Sequence, residues 1–212
     1  MNITKEDFVS EAAFEEYERT IRLFWNELII LNTTIHIMER IAEFPWHLFR
    51  PWDKTFFDTV MANGFSSAIL TITKLAKDRG DDTLTFKHFQ NRLRQELIKP
   101  ASRCALGLDS HFRQLRDPRK PIESLLERLK KVRDQYIAHL SEELVHSERR
   151  FLIEPVNLSD LVRLRDILNE EFHILRLKDD KCSMLFWSYV GAPTTDIEEI
   201  LTNVACESDL LH

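Results

Sequence analysis

FEEYERTIRLFWNELIILNTTIHIMERIA, residues 14–42, decides the fold class. Phe14, Tyr17, Ile21, Phe24, Leu28, Leu31, Ile35, Met38 and Ala42 recur at alternating spacings of three and four. A helix turns about 100° per residue, so that spacing gathers them on one face, whereas a strand needs a period of two. Thr4 or Ser10 is placed to open the helix, and Pro45 ends it. Trp25, Ile29, Ile37 and Ile41 broaden the apolar face beyond a narrow two-stranded seam. The helix is therefore expected to pack in a bundle.

Outward from this stretch, Trp46-His47-Leu48-Phe49-Arg50 lies between Pro45 and Pro51 and is followed by Trp52. Proline interrupts helices, so this is an aromatic corner between two of them, with its rings expected in the core. A second helix is predicted from about Asp53 through Phe56, Phe57, Val60, Met61, Phe65, Ile69, Ile72 and Leu75, stopped by a polar turn at Gly80. A third runs from about Thr85 to Ile98, carrying Phe86, Phe89, Leu93 and Leu97, and ends before Pro100. Residues 100–120 are less regular, with room for a short helix. Pro121 is suited to the first position of a helix through Leu125, Leu126, Leu129, Val132, Tyr136, Ile137 and Leu140. Residues 149–156 read as a loop, with a short extended piece at Phe151-Leu152-Ile153. Ser159 is expected to cap a helix built on Leu161, Leu164, Ile167, Leu168, Phe172 and Leu175. Residues 184–190 fit helix or strand, and Thr195 with Glu198 makes a capping-box pattern. The expected fold is all-α, an antiparallel helical bundle with additional short helices. It is read as one domain over 1–212, with a core at about 10–175 and a C-terminal extension at about 176–212.

Composition agrees with this. Only 4 Gly and 7 Pro occur in 212 residues, too few turn-formers for a many-stranded sandwich or barrel. No glycine-rich phosphate loop is present. Cys104, Cys182 and Cys206 are far apart and outside any Cys-x-x-Cys spacing, which argues against a disulfide framework or a zinc ribbon and for a reducing compartment. The first residues lack a basic segment followed by an apolar one, and no window approaches the ~18 apolar residues of a membrane span. The expectation is a cytoplasmic protein with no membrane partner, no metal and no cofactor.

The net charge of -6 hides an asymmetry. Between Lys87 and Arg133 there are 13 Lys or Arg against 5 Asp or Glu; the remainder holds 16 against 30. A basic block in an acidic chain is what a phosphate-binding surface requires, although charged helix faces also arise simply to be solvated. Arg119, Lys120, Arg128, Lys130 and Lys131 are the candidate RNA-contacting residues of that block.

The block ends at Arg133. On a helical wheel Arg133 falls among Leu126, Leu129, Tyr136, Ile137 and Leu140, on the apolar arc, where a guanidinium is costly unless paired or used. His139 falls at the edge of that arc. Asp134 falls about 100° away, a position from which it is not expected to sit on Arg133. Arg followed by four to six residues and then His is a weak spacing: 18 Arg and 8 His give about two chance matches, and two occur. The other, Arg40 with His47, crosses Pro45.

Arg-Asp-Gln-Tyr-Ile-Ala-His-Leu, residues 133–140, resembles the signature of the HEPN superfamily: Arg, commonly followed by Asn, Asp or His, then a few residues and His on a late bundle helix. Residues 66–78, Thr83-Leu84-Thr85-Phe86 and Arg150-Phe151-Leu152-Ile153-Glu154 are similar to its abortive-infection (AbiU-like) branch. The likeness spans about residues 10–175. It implies a homodimer whose two copies of Arg133 and His139 meet in one cleft, and a metal-independent endoribonuclease acting as a toxin or phage-defence effector, with an antitoxin protein as possible partner. In such chemistry His139 moves protons and Arg133 stabilises the charged phosphorus centre, while Asp134 orients one of these groups or a substrate hydroxyl. The resemblance also allows a non-catalytic domain binding RNA, nucleotide or protein through the same cleft. Ser141 stands where one toxin branch has a regulatory tyrosine, and Tyr136 reads as a packing residue. No third ligand accompanies His139 and His146 at metal spacing.

Overall fold

The structure, a computed structural model, describes residues 3–44, 51–77, 84–113, 122–134 and 156–177, with side chains from 54 onward in the second segment. Helix α1, Glu11–Glu43, is the stretch that opens the sequence argument. Ser10 caps it, its hydroxyl accepting from the Ala13 N–H at 3.1 Å. Thr4 belongs to a separate 3-10 turn, Lys5–Asp7, where its N–H and hydroxyl both donate to Asp7. Tyr17, Phe24, Leu28, Leu31, Ile35 and Met38 are buried as the spacing predicts. At the ends the face rotates: Phe14 and Ile21 are half-buried, and Ile41 replaces Ala42 inside.

Helix α2, Pro51–Ala76, starts two residues before the expected Asp53, because proline's fixed φ suits a first helical turn. It runs antiparallel to α1: Lys74 pairs with Glu27, Gly64 faces Met38 and Phe57 packs on Ile41. A Cβ on Gly64 would lie 2.7 Å from Met38 Sδ, so the missing side chain lets the two helices approach. Phe56 points the other way and is exposed.

Helix α3, Phe86–Arg92, begins where expected, is capped by Thr85 and continues as a π turn, Leu93–Leu97. Ile98 then pairs with Phe8 in an isolated antiparallel bridge. Two short helices follow, α4 at Pro100–Ala105 and α5 at Leu108–Arg113, joined through Gly107 at φ +59, the left-handed conformation glycine adopts freely. Helix α6, Glu123–Val132, buries Leu125, Leu126 and Leu129.

Helix α7, Leu158–Leu175, is capped by Asn157 and not by Ser159. Asn157 Oδ1 accepts from the Asp160 N–H at 2.8 Å, Asp160 reaches back to the Asn157 N–H, and Ser159 merely donates to Asn157. The Asn-x-x-Asp spacing is a capping box with a short acid at its third position. Helix α7 is antiparallel to α1: the Tyr17 hydroxyl donates to the Arg176 carbonyl, Trp25 meets Phe172, and Asn32 meets Asn169.

Helices α1, α2, α6 and α7 share one core, closed at one end by the rings of Phe8, Tyr17, Phe24, Phe86, Phe89 and Phe172. Among the described residues there is no strand, and the class is all-α. No described helix is long and apolar enough to cross a membrane. Gly80, Pro121, residues 135–155 and residues 178–212 lie outside the described segments, and with them the readings of those stretches.

Candidate functional site

Helix α6 is amphipathic, with three leucines inward and Lys131 exposed. Past Val132 the winding widens into a π turn that includes Arg133 and Asp134. Such turns interrupt the regular hydrogen-bond ladder and occur often at functional sites. Arg133 is largely enclosed, its side chain 15% exposed, as its place on the apolar arc predicts.

Asp134 departs from expectation. It sits directly against Arg133: Nε of the guanidinium donates to Asp134 Oδ1 at 2.8 Å, and Nη2 lies 2.7 Å from the same oxygen in an ion pair. A π turn rotates less per residue than the α-helical wheel assumes, and a long arginine side chain swings sideways from its Cβ direction. One turn back, Lys130 Nζ donates to Asp134 Oδ2 at 3.1 Å. Partial burial pulls the Asp134 carboxyl up, but the hydrogen bonds from Arg133 and Lys130 and their positive charge outweigh it. The carboxyl is held below its ordinary value, so Asp134 is a carboxylate at neutral pH. A guanidinium fork and an ammonium thus grip the two oxygens of one anion.

The other candidates divide. Arg128 Nη2 donates to Asp160 Oδ2 at 2.7 Å, tying α6 to the capped end of α7. His139, Arg119 and Lys120 lie outside the described residues. Elsewhere in the basic block, Arg92 pairs with Glu16 and Glu96, and Arg94 with Asp109. The Lys99 ammonium donates to the Glu6 carbonyl, and Arg103 to the Arg94 carbonyl. Lys87, Arg113 and Lys131 are exposed. Much of the positive charge counted along the chain therefore already meets a carboxylate or a carbonyl.

A polar seam between α1 and α7 was not read from the sequence. Asn32, 1% exposed, and Asn169 exchange amide hydrogen bonds at 3.0 and 2.9 Å. Two turns further along α1, Arg165 donates to Glu39 Oε2 at 2.9 Å and to Asp166 Oδ1 at 2.9 Å, with His36 Nδ1 3.8 Å from Glu39. The signal was available: Asn32 falls beside Leu28 and Ile35, and Arg165 between Leu161 and Leu168, polar residues at stripe positions. Among the described residues, no group of three or more His, Cys, Asp or Glu is arranged to hold a metal.

Comparison with family models, with curated proteins and with solved structures finds no match.

Proposed function

We propose that this chain is an RNA-directed protein of HEPN type: a metal-independent endoribonuclease that works as a homodimer, in the manner of a toxin or phage-defence effector. The observation that carries the reading is the enclosed guanidinium of Arg133 on the π-widened end of α6, with Lys130 beside it and Lys131 exposed next to it. An enclosed, permanently charged fork is suited to a phosphorus centre gaining negative charge, since it needs no rearrangement as that charge develops.

His139, six residues on, supplies the proton transfer. Its ordinary pKa lies near neutrality, so one copy takes the 2′-hydroxyl proton while a second, from the partner subunit, protonates the leaving 5′-oxygen. The products are a 2′,3′-cyclic phosphate and a free 5′-hydroxyl, with atoms and protons balanced and no hydrolytic water in the first step. Asp134 holds the Arg133 fork in place between turnovers.

The test is cleavage of mixed single-stranded RNA in excess EDTA, with end-group analysis. Wild type should leave cyclic-phosphate ends, and Arg133→Ala and His139→Ala should each lose about 100-fold or more in rate. No cleavage by any of the three on diverse RNAs refutes the nuclease. The alternative is then a non-catalytic HEPN-like domain that binds RNA, nucleotide or a protein partner through the same surface. The internal pairing of Arg92, Arg94 and Arg128 favours that reading, because those charges already hold the fold together.

A further inference from the structure

We infer that the outer face of α1, with the adjoining edge of α2, is a self-association surface: two copies of this chain pack α1 against α1, antiparallel about a two-fold axis beside Asn26. The inference does not rest on the nuclease reading, and it uses no residue of α6.

Five large hydrophobic side chains among the described residues are exposed, and three of them, Leu23, Ile30 and Leu70, share this face. Leu23 and Ile30 stand two helical turns apart on α1, off its buried stripe. Leu70 is one turn before Lys74 on α2, and Ile30 is one turn after Glu27. The ion pair of Lys74 with Glu27 therefore sets Leu70 level with Ile30. Asn26, also exposed, lies between Leu23 and Ile30. Apolar residues two turns apart with a polar one between them have the spacing of a helix–helix seam, in which a single asparagine fixes register.

The face is complementary to itself, and that decides the occupant. A two-fold interface requires that one residue meet a second while the second meets the first. With antiparallel helices and the axis beside Asn26, Leu23 covers the partner's Ile30, Ile30 covers the partner's Leu23, and the two Asn26 amides meet. The charges follow the same register. Glu15, exposed, and Arg40, which holds Glu43, fall within about 20° of each other on the wheel, and their midpoint is about one residue from the axis. Each Glu15 thus comes opposite the partner's Arg40, once at either end of the seam. The exposed Arg19 and Arg22 come opposite the partner's Thr33 and Thr34, so no cation faces a cation. Glu27, nearest the axis on the α2 side, arrives already neutralised by Lys74. A parallel pair would instead set each Arg19 against the partner's Arg19, a like-charge contact that antiparallel packing avoids.

The test is sedimentation equilibrium of the full chain over roughly 1–100 µM, comparing wild type with the double variant Leu23→Glu, Ile30→Glu. Wild type should associate. The double variant should weaken that association about 100-fold or more and halve the mass at the highest concentration, since the two-fold puts each new carboxylate into the seam twice. Phe56→Glu removes a ring that is 61% exposed elsewhere on α2, and it should leave the mass unchanged. Register is read by cross-linking on a background of Cys104→Ser, Cys182→Ser and Cys206→Ser. Mild oxidation should join Asn26→Cys to its copy at least about fivefold faster than Arg19→Cys, which lies two turns from the axis. Thermal melts confirm that each variant folds. A wild type that stays monomeric, or a mass that the double variant leaves unchanged, overturns the proposal. Cross-linking as fast at Arg19 as at Asn26 overturns the two-fold register. Each of these results stands whether or not the protein cleaves RNA, so failure here and failure of the nuclease are told apart.

Discussion

Two arginines of this bundle occupy apolar stripe positions, Arg165 on α7 and Arg133 at the end of α6, and the carboxylates they meet come from different places. Arg165 is one cation meeting two carboxylates, Glu39 from a helix 126 residues away in sequence and its neighbour Asp166. Arg133, among the described residues, shares a single carboxylate with Lys130. The first arrangement crosses between helices that the fold must hold together, and its guanidinium has no remaining appetite for an anion. The Arg133–Lys130–Asp134 contact is local, spanning one turn at the end of one helix. An enclosed arginine is thus ambiguous by itself; a pair that spans two helices, as at Arg165, ties the fold together, whereas one between neighbours on a single helix can be changed with less cost to the bundle.

The sharpest way to break this comparison is to remove each arginine and read both activity and stability. Arg133→Ala should abolish RNA cleavage, by about 100-fold or more, while lowering stability by no more than about 1 kcal/mol in urea unfolding, since the carboxylate of Asp134 is 42% exposed and free to hydrate. Arg165→Ala should do the reverse. It leaves Glu39 without its fork across the α1–α7 seam and should cost about 2–4 kcal/mol, with cleavage per folded molecule retained. Equal stability losses for the two would erase the distinction. A smaller effect probes the helix pair on the other side of α1: Gly64→Val pushes a branched side chain into Met38, itself 1% exposed, and should cost about 1–3 kcal/mol through overpacking. An unchanged urea midpoint would show that α1 and α2 separate more readily than their contact suggests.

Legibility in the sequence followed the same divide. The α1 stripe, the Ser10 cap and the Pro100 break were readable because each is a local signal: a period, a capping hydroxyl, a residue that cannot continue a helix. The Asn157 cap is equally legible, since asparagine caps as well as serine and Asp160 stands three residues on. Arg133 was found as a charge at an apolar position, and its enclosure agrees. Its contact with Asp134 was missed because a wheel with constant rotation fails where the winding widens to π, a change with no obvious residue marker. The Arg165–Glu39 clasp was missed for a different reason. Pairing between α1 and α7 depends on how two helices register against each other, and nothing in either helix alone states the partner. The charge count erred in the same way, since it cannot see that Arg92 reaches Glu16 or that Arg128 reaches Asp160.

The smallest expected effect is also the one that isolates Asp134 from everything around it. Its carboxyl is held below the ordinary value near 3.8 despite partial burial, because Arg133 and Lys130 favour the charged form. A carboxyl whose folded pKa is depressed stabilises the protein above its unfolded value, and that contribution is lost as pH falls through the folded one. The side chain is 42% exposed, so solvent screening keeps the contribution under about 1 kcal/mol. Wild type should therefore exceed Asp134→Asn in urea midpoint at pH 7, and the gap should close as the pH is lowered below about 4. Asp7, held down by hydrogen bonds from Thr4, loses its own contribution over the same range, but it does so in both proteins and cancels in the difference. Salt offers an independent check, because screening should narrow the gap at pH 7 while leaving the Arg165→Ala deficit nearly intact. A gap that does not narrow as the pH falls below about 4, or one that ignores salt, would mean that Asp134 stabilises the end of α6 by packing or hydrogen-bond geometry and not by its charge. The clasp at Arg165 would stand untouched by either outcome.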